Sequence, residues 1–239
     1  MQKIEINNFG NLDYHSREAY KSLRTNVSFC GEDIKVIALT SCTPNEGKSS
    51  VSFQLAIAMA EDGKRVLFID ADIRKSVLVG RHKIAAKQMR GLTHYLSGQN
   101  TLGEVLCKTN QDGLDMILTG PTAPNPSELL GGKRFKEMME DVRKQYDMVI
   151  IDTPPLGSVI DAAIVARECD GTILILASSE VSHRFARKVK EQLETANSRI
   201  LGVVLNKVKL KGSGKYGKYY GKYYGKYYGK YYGTYGEDE

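Results

Sequence analysis

Gly47, Lys48 and Ser49 stand between two apolar segments of different period. Before them runs Val36 to Leu39, a short apolar stretch that reads as a buried strand. After them come Val51, Phe53, Leu55, Ala56, Ala58, Met59 and Ala60, which read as a buried helix. A strand, a polar turn ending in Gly-Lys-Ser and a helix make a phosphate site. The free N–H groups of the first helical turn point at an anion, and the helix dipole favours its charge. Lys48 is the cation for the terminal phosphates of ATP, and the Ser49 hydroxyl is a magnesium ligand. The candidate nucleotide contacts are Asn45, Glu46, Gly47, Lys48, Ser49 and Ser50. The full phosphate-loop pattern has glycine five residues before Gly47, where this chain has Cys42. Pro44 stiffens the turn instead, and Asn45 is a residue type that tolerates positive φ. The plainer alternative is a helix start whose lysine is only solvated.

Three aspartates close apolar runs: Asp70, Asp72 just beyond it, and Asp152 after Val149-Ile150-Ile151. In a parallel sheet all strand C-termini lie on one edge, where ligands bind, and the phosphate loop leaves the same edge. The spacing therefore predicts that the acids converge on the phosphates. Asp152 reads as the magnesium-side carboxylate, with Ser49. Of Asp70 and Asp72, one can join the metal shell and the other can take a proton from an attacking hydroxyl. The competing reading for Asp72 is a cap on the turn or helix that follows. Asn206 follows the last apolar run on the same edge, where its amide can meet an adenine edge or simply make a turn.

The elements that position these residues alternate. Strands are predicted at 65–70, 114–118, 148–152, 172–177 and 200–205, and helices at 16–29, 133–146, 160–168 and 182–196. Two short helices fall within 91–108, and a further helix starts at Asn125-Pro126, with asparagine as cap. Residues 1–13 read as irregular. The alternation predicts an α/β fold of the P-loop NTPase type, a doubly wound, mainly parallel sheet with helices on both faces. The near-continuous apolar runs fit strands covered on both sides. The expected organisation is an N-terminal segment over 1–33, a nucleotide-binding domain over 34–210 and a tail over 211–239.

The chain of 239 residues is 41% hydrophobic, enough for a buried core. No apolar run reaches the ~18 residues of a membrane span, and Met1-Gln2-Lys3-Ile4-Glu5 lacks the apolar core of a signal peptide. Cys30, Cys42, Cys107 and Cys169 are scattered without a Cys-x-x-Cys pair, which argues against a metal cluster or disulfide framework and fits a reducing, cytoplasmic setting. The net charge of +6 is concentrated toward the end, where from Gly212 onward there are five lysines and three acids. There Lys-Tyr-Tyr-Gly occurs four times between residues 218 and 233, and ten of the fourteen tyrosines lie between Tyr216 and Tyr235. A four-residue period with glycine in every unit cannot build a core, so the tail reads as solvated. In the predicted helix at 16–29, Glu18, Lys21 and Arg24 step along one side, which on its own reads as a solvated row of weak pairs.

Taken together, Thr43 to Ser49, Leu67 to Lys75, Gly120-Pro121 with Asn125 to Leu129, Val149 to Pro155 and the tyrosine-rich tail resemble the bacterial tyrosine autokinases of capsule and exopolysaccharide operons, the CpsD/CapB-like proteins. The resemblance implies a kinase that takes phosphate from magnesium-ATP and modifies its own tail. Its acceptors would be Tyr216, Tyr219, Tyr220, Tyr223, Tyr224, Tyr227, Tyr228, Tyr231, Tyr232 and Tyr235. It ties Asp70 and Asp72 to magnesium and to activation of the incoming tyrosine, and Asp152 to the third nucleotide motif. It makes Glu18, Lys21 and Arg24 an oligomer contact, with Lys21 in place of the family's central arginine. It further implies a homo-oligomeric ring, protein substrates, a separate transmembrane adaptor and recruitment through it to the inner face of the membrane. Two rival readings make different demands. A switch ATPase of the partition or septum-placement type shares the fold, but this chain has Thr43 where those proteins carry a lysine. A nucleic-acid or sugar-binding module would use the alternating Lys and Tyr for stacking; the reading preferred here involves no nucleic acid.

Overall fold

Val36, Ile37, Ala38 and Leu39 are at most 1% exposed, because their strand lies deep in a sheet that is covered on both faces. A computed structural model describes residues 1–86 and 89–208. In chain order these form β1 (Gln2–Ile6), α1 (Tyr14–Ser28), β2 (Val36–Ser41), α2 (Lys48–Glu61), β3 (Val66–Asp70), α3 (Leu78–Arg81), β4 (Ile84–Ala86), α4 (Leu92–Leu96), α5 (Leu102–Val105), β5 (Cys107–Lys108), β6 (Leu114–Ile117), α6 (Pro126–Gly131), α7 (Lys133–Gln145), β7 (Met148–Asp152), α8 (Asp161–Ala166), β8 (Gly171–Ala177), α9 (His183–Thr195) and β9 (Ile200–Asn206). Residues 1–206 make one compact unit. The strands are ordered β4-β1-β5-β6-β3-β7-β2-β8-β9. Pairing is parallel except for β1 with β4 and β5 with β6.

Side chains alternate between the two faces of the central strands, as a pleat demands. Ile37, Leu39, Phe68, Ile150 and Ile173 meet α1, α2 and α3, whereas Val36, Ala38, Leu67, Ile69, Val149 and Ile151 meet α4 to α8. Leu174 packs on α8 and α9. Helix α2 buries eleven of its fourteen residues, from Lys48 to Ala60. It is apolar nearly all round because the sheet holds one side and α1 the other.

Two expectations need correction, and one segment carried no expectation. Residues 1–13 are not irregular throughout: Ile4 and Ile6, two apart, are buried and make β1, a strand whose polar alternation hides a one-sided core face. The segment after Asp72 contains α3 and β4, too short to leave a period in the sequence. The last strand, β9, lies at the sheet edge rather than between covering layers, and leaves Val203 and Leu205 exposed. A smaller difference concerns Asn125. Pro126 opens α6 as expected, but the Asn125 side chain donates to Glu128 instead of capping the helix (2.8 Å). The four cysteines are free thiols, and burial pushes Cys42 up to about 12 and Cys107 up to about 11, so both stay protonated.

His82 is buried against the Phe53 ring, with Nδ1 on the Asn8 carbonyl at 2.8 Å and Nε2 without a partner among the described residues. Burial lowers its pKa, so the folded state prefers neutral imidazole. The unfolded chain then binds a proton first as pH falls below about 6.5, and stability is lost on the acid side. Relative to His82→Leu, the wild-type thermal midpoint should fall between pH 7 and pH 5, a comparison that isolates His82 from the other groups titrating in that range.

Candidate functional site

The phosphate loop follows β2 directly, and its geometry is set by two residues in the left-handed region, Asn45 at φ 68° and Gly47 at φ 88°. The positive φ of Gly47 favours glycine, and a Cβ there would lie 2.1 Å from Nδ2 of Asn206 and displace that amide. Gly47→Ala should weaken binding of a fluorescent ADP analogue with magnesium by at least about tenfold, because the first-turn N–H groups lose their placement. Titration by fluorescence checks this.

The side chain of Glu46 turns inward. It is 1% exposed and accepts from the backbone N–H and hydroxyl of Thr43 and from the N–H of Ala177, the last residue of β8. Asn206 donates from Nδ2 to the Glu46 carbonyl at 2.9 Å. Both residues were read as nucleotide contacts; here both brace the loop, and they tie it to the ends of β8 and β9. Ser50 accepts a hydrogen bond from Nη1 of Arg81 on α3 at 2.9 Å.

Behind the loop, Lys48 and the strand-end acids meet. The Lys48 ammonium, 7% exposed, lies 2.9 Å from Oδ1 of Asp152 and 3.2 Å from Oγ of Ser49. Ser52, one helical turn after Lys48, donates to the same Asp152 oxygen at 3.0 Å. Asp70 and Asp152 are register partners on β3 and β7, and each is 1% exposed. Burial, and next the Asp152 carboxylate, raise the Asp70 pKa far above the usual carboxylate range; Ser76, which donates to Asp70, and Lys48 oppose the shift. When both are ionised, these two buried carboxylates outnumber the one lysine and leave a surplus of negative charge. That surplus, together with the Ser49 hydroxyl, is an all-oxygen donor set of the kind magnesium takes, so these residues fit the ion. Asp72 lies outside this cluster. It is partly exposed, and its Oδ1 accepts from the N–H of Lys75 at 3.1 Å, which makes it the cap of a short turn.

The row on α1 is engaged within the chain. Lys21 bonds Glu18 at 2.8 Å, while Arg24 donates to the Ala58 carbonyl at 3.0 Å and lies 3.3 Å from Asp62. The ten candidate acceptor tyrosines lie outside the described residues. Sequence reasoning did not find Ser52, Ser76, Arg81, Ser127 or Asp161. Ser52 had a signal, since i and i+4 share a helix face; the others meet their partners through the fold alone.

A loop of this kind at the rim of a parallel sheet, with acids on the neighbouring strand ends, defines a P-loop nucleotide-binding protein. The comparisons agree: the sequence profile of the AAA domain matches residues 34–201. The septum site-determining protein MinD of Pyrococcus horikoshii, solved with Mg-ADP, shares the fold at 22% identity and a TM-score of 0.62 over 74% of this chain and 72% of that one. More specific relatives follow. The tyrosine-protein kinase CpsD of Streptococcus agalactiae is 42% identical over 206 residues, 85% of this chain and 90% of the relative. The kinase domain of the Escherichia coli tyrosine kinase ETK superposes with a TM-score of 0.75 at 33% identity, over 84% of this chain and 80% of that domain. The chain belongs to the CpsD family of bacterial tyrosine-protein kinases. Among the described residues no helix is long and apolar enough to cross a membrane.

Proposed function

We propose that the chain is an ATP-dependent protein-tyrosine kinase that phosphorylates its own C-terminal tyrosines, with a neighbouring copy as acceptor, and thereby regulates capsule or exopolysaccharide synthesis and export. The observation that carries this reading is the meeting of Lys48, Asp70 and Asp152 behind a phosphate loop, in a chain whose relatives are tyrosine kinases. Lys48 is the cation for the terminal phosphates of ATP, and Asp152 and Ser49 hold its ammonium near the loop. The loop N–H groups, with Ser50 at the start of α2, hold the phosphate chain. Ser49, Asp70 and Asp152 would hold magnesium, which when bound neutralises charge developing on the transferred phosphoryl group. Asp72, partly exposed, takes the proton of the attacking phenol, whose ordinary pKa of about 10 makes it a poor nucleophile at neutral pH. The carboxamide of Asn206 stands beside the loop, where its oxygen has no partner among the described residues and can meet an adenine amine.

The same reading includes a ring of subunits with contacts at Glu18, Lys21 and Arg24, and a transmembrane adaptor that brings the kinase to the inner face of the membrane. Each phosphate adds about −1.5 to −2 charges, so a few turn the lysine-rich tail acidic. The modified tail then leaves the acid-lined site, and the ring loosens.

Incubation with magnesium-ATP followed by mass spectrometry should find phosphotyrosine between Tyr216 and Tyr235. The signal should be lost in Asp72→Ala and in a chain ending at residue 210. ATP hydrolysis without any phosphotyrosine would instead support the switch-ATPase reading and end this one.

A further inference from the structure

The stretch from Gly120 to Leu129 stands out in sequence but has no part in the phosphate chemistry above. Its Ser127 does have an unusual setting. Ser127 is the second residue of α6, and its hydroxyl donates to Oδ1 of Asp161 at 2.6 Å. Asp161, the first residue of α8, has a side chain with 0% exposure. Its counter-charge is Arg74, whose Nε lies 2.6 Å from Oδ2 and whose Nη2 lies 2.9 Å from Oδ1. The same Nη2 donates to the Ser127 hydroxyl at 3.1 Å, which closes the triangle. Burial alone would raise the Asp161 pKa, yet the hydrogen bonds from Arg74 and Ser127 outweigh it and the carboxyl stays below its ordinary value. The pair is bidentate and buried on the Asp161 side, a fork that lysine cannot reproduce.

Arg74 lies two residues beyond Asp72. The intervening backbone is held in register by burial of Ala71 and Ile73, by the Ala71 N–H on the Asp152 carbonyl at 2.8 Å, and by the Asp72 N–H on Asp70 at 3.3 Å. Those contacts fix the segment on the strand side. On its far side the side-chain anchor is Arg74, and this anchor is fastened to two helices that follow β6 and β7. We propose that Arg74, held by Asp161 and Ser127, is a positioning residue that fixes the loop presenting Asp72 to the acceptor phenol, and so governs the rate of phosphoryl transfer rather than nucleotide affinity. The proposal rests on the kinase reading and on Asp72 as proton acceptor.

It separates two quantities that a general loss of structure would move together. In the full chain, Arg74→Lys keeps a positive charge near Asp161 but not the fork, and Ser127→Ala keeps the Arg74–Asp161 pair but removes its third member. Binding of a fluorescent ATP analogue with magnesium should stay within about threefold of wild type in both, since the bonds of both side chains run to Asp161 and to each other and not to the phosphate loop. Single-turnover transfer at saturating ATP, to a synthetic peptide of residues 218–233, should fall by about 10- to 100-fold in Arg74→Lys and by about threefold or more in Ser127→Ala. Wild-type transfer rates in both variants would overturn the proposal, as would nucleotide affinity falling in step with rate. A wild-type chain that makes no phosphotyrosine would remove the kinase reading itself, whereas an active wild type with equally active variants removes only the clamp.

Discussion

Lys48→Met should abolish tail phosphorylation and also destabilise the nucleotide-free chain. The first effect follows from chemistry. A loose phosphoryl-transfer transition state is stabilised almost entirely by position and charge, and loss of its one loop cation should cost at least about 10³-fold in rate. The second follows from burial. The Lys48 ammonium and the Asp152 carboxylate are 7% and 2% exposed, so the pair is screened little by solvent. Among the described residues, removing the lysine leaves the Asp152 carboxylate with the Ser52 hydroxyl as its side-chain donor, beside Asp70. Breaking a buried pair from one side costs on the order of 3 kcal/mol, and for a domain of this size that lowers the melting midpoint by roughly 6–12 °C. Phosphotyrosine detection and thermal melting on the same preparation measure both. A folded methionine variant that still phosphorylates its tail would sink the assignment of Lys48.

The loss of stability on removing Lys48 was not legible from the sequence, although the residue was. Local pattern located Lys48, Ser49, Asp70 and Asp152, because each sits where an apolar run ends and the chain must turn at one rim of a parallel sheet. What pattern could not supply is what each side chain touches. Glu46 lies inside the phosphate-loop signature and so reads as a nucleotide contact, yet its carboxylate is buried among three donors and holds the loop together. β3 ends at Asp70, which stays in the core, whereas Asp72 is already beyond the strand and caps a short turn. The triangle of Arg74, Ser127 and Asp161 joins residues 34 to 87 positions apart, and no local period records it. The short elements were lost for the opposite reason. Three-residue β4 exists because β1 offers it an edge, and two-residue β5 because it is paired on both sides by β1 and β6, not because their own residues demand a strand.

Asp70→Asn should remove activity yet make the nucleotide-free chain more stable at neutral and alkaline pH. Burial and the neighbouring Asp152 carboxylate raise the folded-state pKa of Asp70 above the ordinary value of 3.8. Between those two values the folded chain holds a proton that the unfolded chain has released, so the free energy of unfolding falls as pH rises. The favourable contribution of the protonated group is complete below the unfolded pKa and is gone once pH passes the folded one. An asparagine has no charge to accommodate beside Asp152, and it keeps an acceptor for the Ser76 hydroxyl. Relief of that like-charge burial should be worth on the order of 1–2 kcal/mol, or roughly 2–8 °C in the midpoint. The two proteins should therefore melt together only below about pH 4 and diverge steadily toward pH 9, with the variant higher. Magnesium-ADP should raise the wild-type midpoint most at high pH, where Asp70 is ionised, and should raise the variant's much less. Transfer to tyrosine should drop by about 10²-fold or more, since one of the oxygen donors proposed for the metal is neutralised. A variant that melts below wild type at pH 8 without nucleotide would show that the Asp70 carboxylate stabilises the empty site, and the picture of a rim kept electrostatically strained until metal and triphosphate arrive would have to be abandoned.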